Sequence, residues 1–219
     1  LSAGFTPLVA GVLITVGFAV FGLGEMLFSP VAPSLINAFA PPHLSWYQLT
    51  IEPNTVFHKR PPMLPTEDAL ADIQQAGEVL LAAAGYGQYE VSAYSRPGLR
   101  CRHNLNYWSF GDYLGIGAGA HGKITDADGR IQRYHKTRQP ADYLAACSGT
   151  FTAGSRELER ADIVGEFMLN ALRLNEGFTR ALFEARTGLD VAVIEPQLLK
   201  LQERELLECD DRGIRASAL

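Results

Sequence analysis

The sequence predicts an α/β fold. An apolar helical leader precedes it, and a small helical domain with a two-stranded wing follows it. Three observations lead there. Between Leu44 and Gly117, short β-branched and aromatic stretches flank a helical repeat, which is the unit of a parallel sheet or barrel. From Pro140 the apolar spacing becomes helical, until an Asp-Arg-Gly turn near the end. From Leu1 to Pro42 the only charged side chain is Glu25. The chain is therefore divided into a leader (residues 1–42), an α/β part (43–137) and a C-terminal helical, winged part (138–219).

In the leader, Leu8 to Leu23 is apolar or small apart from Thr15, and the run continues through Met26-Leu27-Phe28 toward Phe39. A membrane-spanning helix needs about 20 such residues. Gly11, Gly17, Gly22 and Gly24 supply small surfaces for packing between membrane helices, and an acid such as Glu25 would face protein or water. There is no basic start, and the run is too long for a signal peptide. Membrane association through this segment is the expectation, with a buried soluble helix as the alternative.

Leu44 to Ile51 reads as a strand that Glu52-Pro53-Asn54-Thr55 ends. Pro61, Pro62 and Pro65 mark a loop. Thr66 is a good N-cap with Glu67 and Asp68 behind it. Ala69, Leu70, Ile73, Ala76, Leu80 and Ala84 then repeat at helical spacing up to Gly85. Gln88 to Ala93 reads as a second strand and Tyr113 to Gly117 as a third. Helices are expected over Ala141–Cys147, Arg156–Leu172, Thr179–Thr187 and Glu195–Glu205, with a wing over Leu206–Ala216.

The most unusual stretch is Cys101 to Lys123, where amides, aromatics and a basic pair precede Gly115, Gly117, Gly119 and Gly122. Glycines there remove side chains where a backbone or a ligand comes close. The plainer alternative is a strand with loops whose glycines only permit tight packing. Gly117 to Gly122 also matches G-x-G-x-x-G, but Asp128-Gly129 signals a hairpin turn where a dinucleotide site needs a helix.

Composition narrows the classes. The 219 residues are 47% apolar and 20% charged, with a net charge of −5, which argues against nucleic acid as a partner. The winged-helix-like end carries Glu203, Glu205, Glu208, Asp210 and Asp211, and such acidity opposes phosphate. Cys101, Cys147 and Cys209 lie far apart. They suggest a reducing, cytoplasmic setting for residues 43–219 and form no disulfide framework or zinc site.

Four runs carry a resemblance: His43-Leu-Ser-Trp-Tyr-Gln-Leu-Thr-Ile-Glu-Pro-Asn-Thr, Gln88-Tyr-Glu-Val-Ser-Ala-Tyr, Cys101-Arg-His-Asn-Leu-Asn-Tyr-Trp and Gly111-Asp-Tyr-Leu-Gly-Ile-Gly-Ala-Gly-Ala-His-Gly. Residues 43–219 resemble the oxygen-independent coproporphyrinogen oxidase-like family, in its haem chaperone branch. The resemblance implies the C-terminal part of an incomplete (β/α) radical S-adenosylmethionine barrel, with its first strands before His43, then a small winged-helix-like domain. It implies S-adenosylmethionine and a four-iron, four-sulfur cluster as cofactors, haem or porphyrin as ligand, and haem-acceptor proteins as partners. Gly24-Glu25-Met-Leu-Phe-Ser29-Pro30-Val-Ala-Pro33 with Ala40-Pro41-Pro42-His43-Leu44 resembles instead a major facilitator transporter. The two likenesses meet at His43-Leu44, as expected of a fused or misassembled leader; a transporter fragment alone cannot transport.

Cluster binding in that family uses C-x-x-x-C-x-x-C, since one loop wraps one cluster. The three cysteines here lack that spacing, so the chain is expected to generate no radical alone. By resemblance, Thr50 at a strand end and His121 after the glycines correspond to positions near S-adenosylmethionine. As plain alternatives, Thr50 is a strand end with a locally bonded hydroxyl and His121 an exposed loop residue. His103-Asn104-Leu105-Asn106-Tyr107 matches the H-N-x-x-Y signature of the chaperone branch. In that reading His103 ligates haem iron, Asn104 orients it or bonds a propionate, Tyr107 adds an oxygen contact, and Arg102 pairs with a propionate. The alternative for His103 is pairing with a carboxylate such as Asp112. The function expected is that of a truncated haem chaperone-like protein. The alternatives are a coproporphyrinogen dehydrogenase, which turns propionates into vinyls, and a non-functional fusion fragment.

Overall fold

A computed structural model describes residues 38–146 and 151–217. The chain divides into two compact units. One runs up to Gly87 and adds Ser92–Leu99; the other takes Gln88–Val91 and everything from Arg100.

In the first unit, Thr66 caps a helix, as its sequence predicts. The short α1 (Val56–Lys59) precedes α2 (Glu67–Ala83). The Thr66 hydroxyl accepts from Ala69 N at 3.3 Å, and Glu67 and Asp68 sit at the positive end of the helix dipole. Leu81 of α2 and Tyr86 pack with Tyr94, and Leu44 and Trp46 flank them. Gly77 of α2 makes room for the Trp46 ring, which a Cβ there would meet at 2.0 Å.

The strands of this unit correct the expectation. β1 covers only His43–Ser45, and β3 (Ala93–Ser95) pairs with it antiparallel, Leu44 opposite Tyr94. The expected parallel unit is overturned because the chain turns at Val91–Ser92. That turn splits Gln88–Ala93 into β2 (Gly87–Glu90) and β3. Trp46 N donates to Ser92 O at 2.8 Å and closes the pairing, so β3 offers no ladder to residues 47–51.

The second unit is built on a three-stranded antiparallel sheet of β4 (His121–Thr125), β5 (Ile131–Lys136) and β6 (Thr152–Glu157). The hairpin turn read from Asp128-Gly129 joins β4 and β5. Asp126 accepts from Asp128 N and Arg130 N at 2.9 and 3.0 Å, and Gly129 takes φ +82°. α3 (Arg102–Trp108) and α4 (Pro140–Ala145) connect the parts, and α5 (Arg160–Ala171) covers one sheet face. α6 (Arg180–Thr187), a 3₁₀ turn at Val191–Val193 and α7 (Glu195–Glu203) follow, then the wing β7 (Leu207–Cys209) and β8 (Ile214–Ala216). Phe167 of α5 centres the core, edge-on to Phe110, Phe178 and Phe183 with centroids at 5.9, 4.9 and 5.0 Å.

Further expectations change here. Residues expected to open a helix at Arg156 form β6 instead. Arg156 and Glu157 pair with Arg133 and Gln132 of β5, and Leu158 N donates to Ile131 O at 2.8 Å, extending the ladder past β6. The segment 102–108, given no element from the sequence, is helical. Of the expected strand Tyr113–Gly117, Tyr113 alone bridges to Lys123, and Gly117 at φ +106° turns the chain away. The boundary expected at 137/138 falls between β5 and β6 of one sheet. The expected membrane segment and the transporter-like run fall largely outside the described residues. Among those described, no helix is long and apolar enough to cross a membrane.

Candidate functional site

Strand alternation puts every second residue of the sheet on one face. The register pairs His121 with His135, Lys123 with Arg133, and Thr125 with Ile131. It then pairs Arg133 with Arg156 and His135 with Gly154. Ile131 of this row joins the core with Ile163 and Phe167 of α5. The face is thus apolar at the turn end and polar at the other. At the polar end lies a cleft of about 540 Å³, lined by Tyr107, Tyr113, His121, Arg133, His135 and Glu166, among others.

A chain of hydrogen bonds runs through it. The Tyr107 and Tyr113 hydroxyls are 3.1 Å apart and their rings 4.7 Å. Arg133 donates to the Tyr113 oxygen and, through Nε, to Glu166 at 2.8 Å. Burial, then the bond to Tyr107, pushes the Tyr113 hydroxyl up to about 12, against the pull of Arg133. Burial draws the Arg133 guanidinium down, but Glu166 and the two tyrosines outweigh it and raise it. Below the cleft, Lys123 is 1% exposed. Its ammonium donates to Phe110 O at 3.0 Å and Asp112 at 2.7 Å. Burial raises the Asp112 carboxyl, yet Lys123 and Thr125 hold it below the usual range.

The expected site residues fall as follows. His103 and Tyr107 sit one turn apart on α3, with ring centroids 6.4 Å apart. His103 and Arg102 are exposed, and no described residue bonds their side chains. Asn104 donates to the Tyr89 hydroxyl at 3.1 Å, so its amide nitrogen is taken up in fixing α3. The suggested pairing of His103 with Asp112 is excluded by the bonds of Asp112 to Lys123 and Thr125. His121 is the first residue of β4 and lines the cleft. Thr50 is exposed beyond β1 in the other unit. Arg133, His135, Glu166 and Tyr113 were not singled out from the sequence. The alternation Ile131-Gln-Arg-Tyr-His-Lys was the signal for the first two.

The glycines mostly make room for the chain itself. A Cβ on Gly115 would lie 2.4 Å from the His121 carbonyl oxygen, and one on Gly122 would lie 2.1 Å from the Tyr134 ring. Gly115 N donates to that ring's hydroxyl at 2.8 Å.

Residues 158–219 match the family model described as the HemN C-terminal domain. The chain is 55% identical over 172 residues to "Heme chaperone HemW" of Escherichia coli and 48% identical over 173 to that of Haemophilus influenzae, each match covering 78% of the chain. A mitochondrial radical S-adenosyl methionine domain-containing protein of Bos taurus is 32% identical over 189 residues. The chain spans less than half of these relatives, 45%, 44% and 42%. The fold resembles coproporphyrinogen III oxidase (HemN) from Escherichia coli, a radical SAM enzyme, with a TM-score of 0.60 at 18% identity, covering 84% of this chain and 46% of that one. The resemblance to the coproporphyrinogen oxidase-like proteins and their haem chaperone branch therefore holds over this C-terminal portion.

Two of these names carry radical S-adenosyl methionine chemistry, and the iron–sulfur cluster that the resemblance implies is not fitted by the described residues. No group of three His, Cys, Asp or Glu among them can hold a metal ion. Thr50 is exposed.

Proposed function

We propose that this chain is the haem-handling C-terminal portion of a haem chaperone-like protein, with His103 as the residue that meets the iron. The carrying observation is an exposed His103, bonded by no described residue, one turn before Tyr107 on a helix that other contacts anchor. Asn104 ties α3 to Tyr89, and Tyr107 ties it to Tyr113. The helix is therefore fixed while its histidine remains available, the arrangement a cargo ligand needs. Neutral imidazole is a common axial ligand of haem iron. Arg102, next to it, offers a fork suited to a propionate. Haem is cargo in this reading, passed on to an acceptor protein. The names of the 55% and 48% identical relatives support the haem-handling part of this reading.

The test is haem titration of the full chain, with apomyoglobin competition to remove nonspecific adsorption. His103→Ala is expected to shift the Soret band and weaken binding. His58→Ala, in α1 of the other unit, is expected to change neither. An unchanged spectrum and affinity for His103→Ala would overturn the assignment. For residues 1–42 we propose membrane association. Their removal is expected to move the chain from the detergent-dependent to the soluble fraction, and a full chain that is monomeric without detergent would refute it.

A further inference from the structure

His121 and His135 face each other across β4 and β5, with ring centroids 5.7 Å apart and ring planes 30° apart. Lys123 directs both its backbone N–H and its carbonyl toward Tyr113, at 3.1 and 2.9 Å. Lys123, and His121 two residues before it, therefore form non-hydrogen-bonded pairs with β5. At such pairs the Cα atoms are closest and the side chains meet. Both rings are exposed, and no described residue hydrogen-bonds them.

Two features hold the His135 ring where it is. The residue opposite it on β6 is Gly154, and a Cβ there would lie 2.6 Å from His135 Cε1. The ring thus lies over a position that must lack a side chain. The β5–β6 register also shifts between His135 and Lys136, and irregularities of this kind re-aim side chains at sites. The surrounding charge does not repel a cation. Arg133 is paired with Glu166, and Arg156 with Asp162 and, at 3.8 Å, Glu166.

We propose that His121 and His135 form a two-histidine site for a borderline divalent transition-metal ion such as Zn²⁺ or Cu²⁺, at the mouth of the cleft. A zinc–imidazole bond of about 2.05 Å puts each ring centre roughly 3.2 Å from the ion, so two rings on a tetrahedral ion sit about 5 Å apart. The observed 5.7 Å separation needs only small side-chain rotations to reach that. Two protein ligands leave the other positions to water or to a ligand within the cleft. This site is separate from His103 and does not depend on the haem assignment.

The test uses the full chain, with Zn²⁺ competed against a chromophoric chelator and Cu²⁺ followed by electron paramagnetic resonance. One ion per chain is expected, Cu²⁺ bound more tightly than Zn²⁺, with hyperfine structure from two imidazole nitrogens. His121→Ala and His135→Ala are each expected to weaken Zn²⁺ by at least about tenfold, the loss seen even for residues that only orient a metal ligand. His58→Ala is expected to leave binding unchanged. Circular dichroism checks the fold, and both side chains are exposed, so truncation is tolerated. Unchanged Zn²⁺ affinity in either variant, or a two-nitrogen Cu²⁺ spectrum that survives the double variant, would overturn the proposal.

Discussion

Removing the two halves of the Lys123–Asp112 pair is expected to have unequal effects. The lysine side chain is 2% exposed and the aspartate 43%. Asp112→Ala leaves a buried ammonium with only the Phe110 carbonyl and the Phe110 ring, whose centroid is 4.2 Å away. It also strips Thr125 N of its 2.8 Å acceptor. Breaking a buried pair from one side costs about 3–5 kcal/mol. The aspartate is half in water, so the expected loss here is smaller, about 2–4 kcal/mol. Lys123→Met instead removes the buried charge and fills its volume. The orphaned carboxylate can turn to water and keeps Thr125, so a loss under about 1.5 kcal/mol is expected. Urea unfolding followed by Trp108 fluorescence in a Trp46→Phe background measures both. If Lys123→Met proved as destabilising as Asp112→Ala, the attribution to an uncompensated buried charge would fail.

Other expectations follow from the same geometry. Tyr113 keeps its proton to about 12, above the unfolded value of about 10. Its contribution to stability is full below the unfolded value and is lost as pH rises through about 12; Tyr113→Phe should remove the latest step of the tyrosinate absorbance titration. Asp112 is shifted the other way, so its contribution is present above about pH 3.9 and lost as pH falls through its lower folded value. Acid unfolding midpoints should show that loss in the parent and not in Asp112→Asn. Gly115→Ala is expected to destabilise by about 1–3 kcal/mol, because the obstructing atom is the His121 backbone oxygen and cannot swing aside; a midpoint equal to the parent's would refute this. Thr179→Ala should cost about 1 kcal/mol, since its hydroxyl caps α6 by accepting from Leu182 N at 3.1 Å.

Local chemistry was legible where one residue type decides the conformation. Thr66 and Thr179 marked helix starts, Asp128-Gly129 marked a hairpin, and the Asp-Arg-Gly turn marked the wing. What failed depended on partners far along the chain. The residues of β6 carry no strong strand signal, and the ladder to β5 decides their state. α3 holds together through Tyr89 and Tyr113, which no local pattern announces. Parallel pairing was inferred from strand–helix–strand order, and a two-residue reversal at Val91–Ser92 overrode it. At the site, His103 and Tyr107 were visible as a motif. Arg133, His135 and Glu166 were not, since only the sheet register and the overlying helix bring them to Tyr113.

Glu166 has one more consequence. It rides on α5, inside the stretch that matches the HemN C-terminal domain, yet its carboxylate lies against an arginine of the preceding hairpin. A carboxylate ligand that claims Arg133 must displace this internal acid. The exchange trades one ion pair for another, so little affinity is gained at that point. Substituting Glu166 would therefore leave Arg133 with the Tyr113 oxygen alone and change the charge of the cleft by one unit.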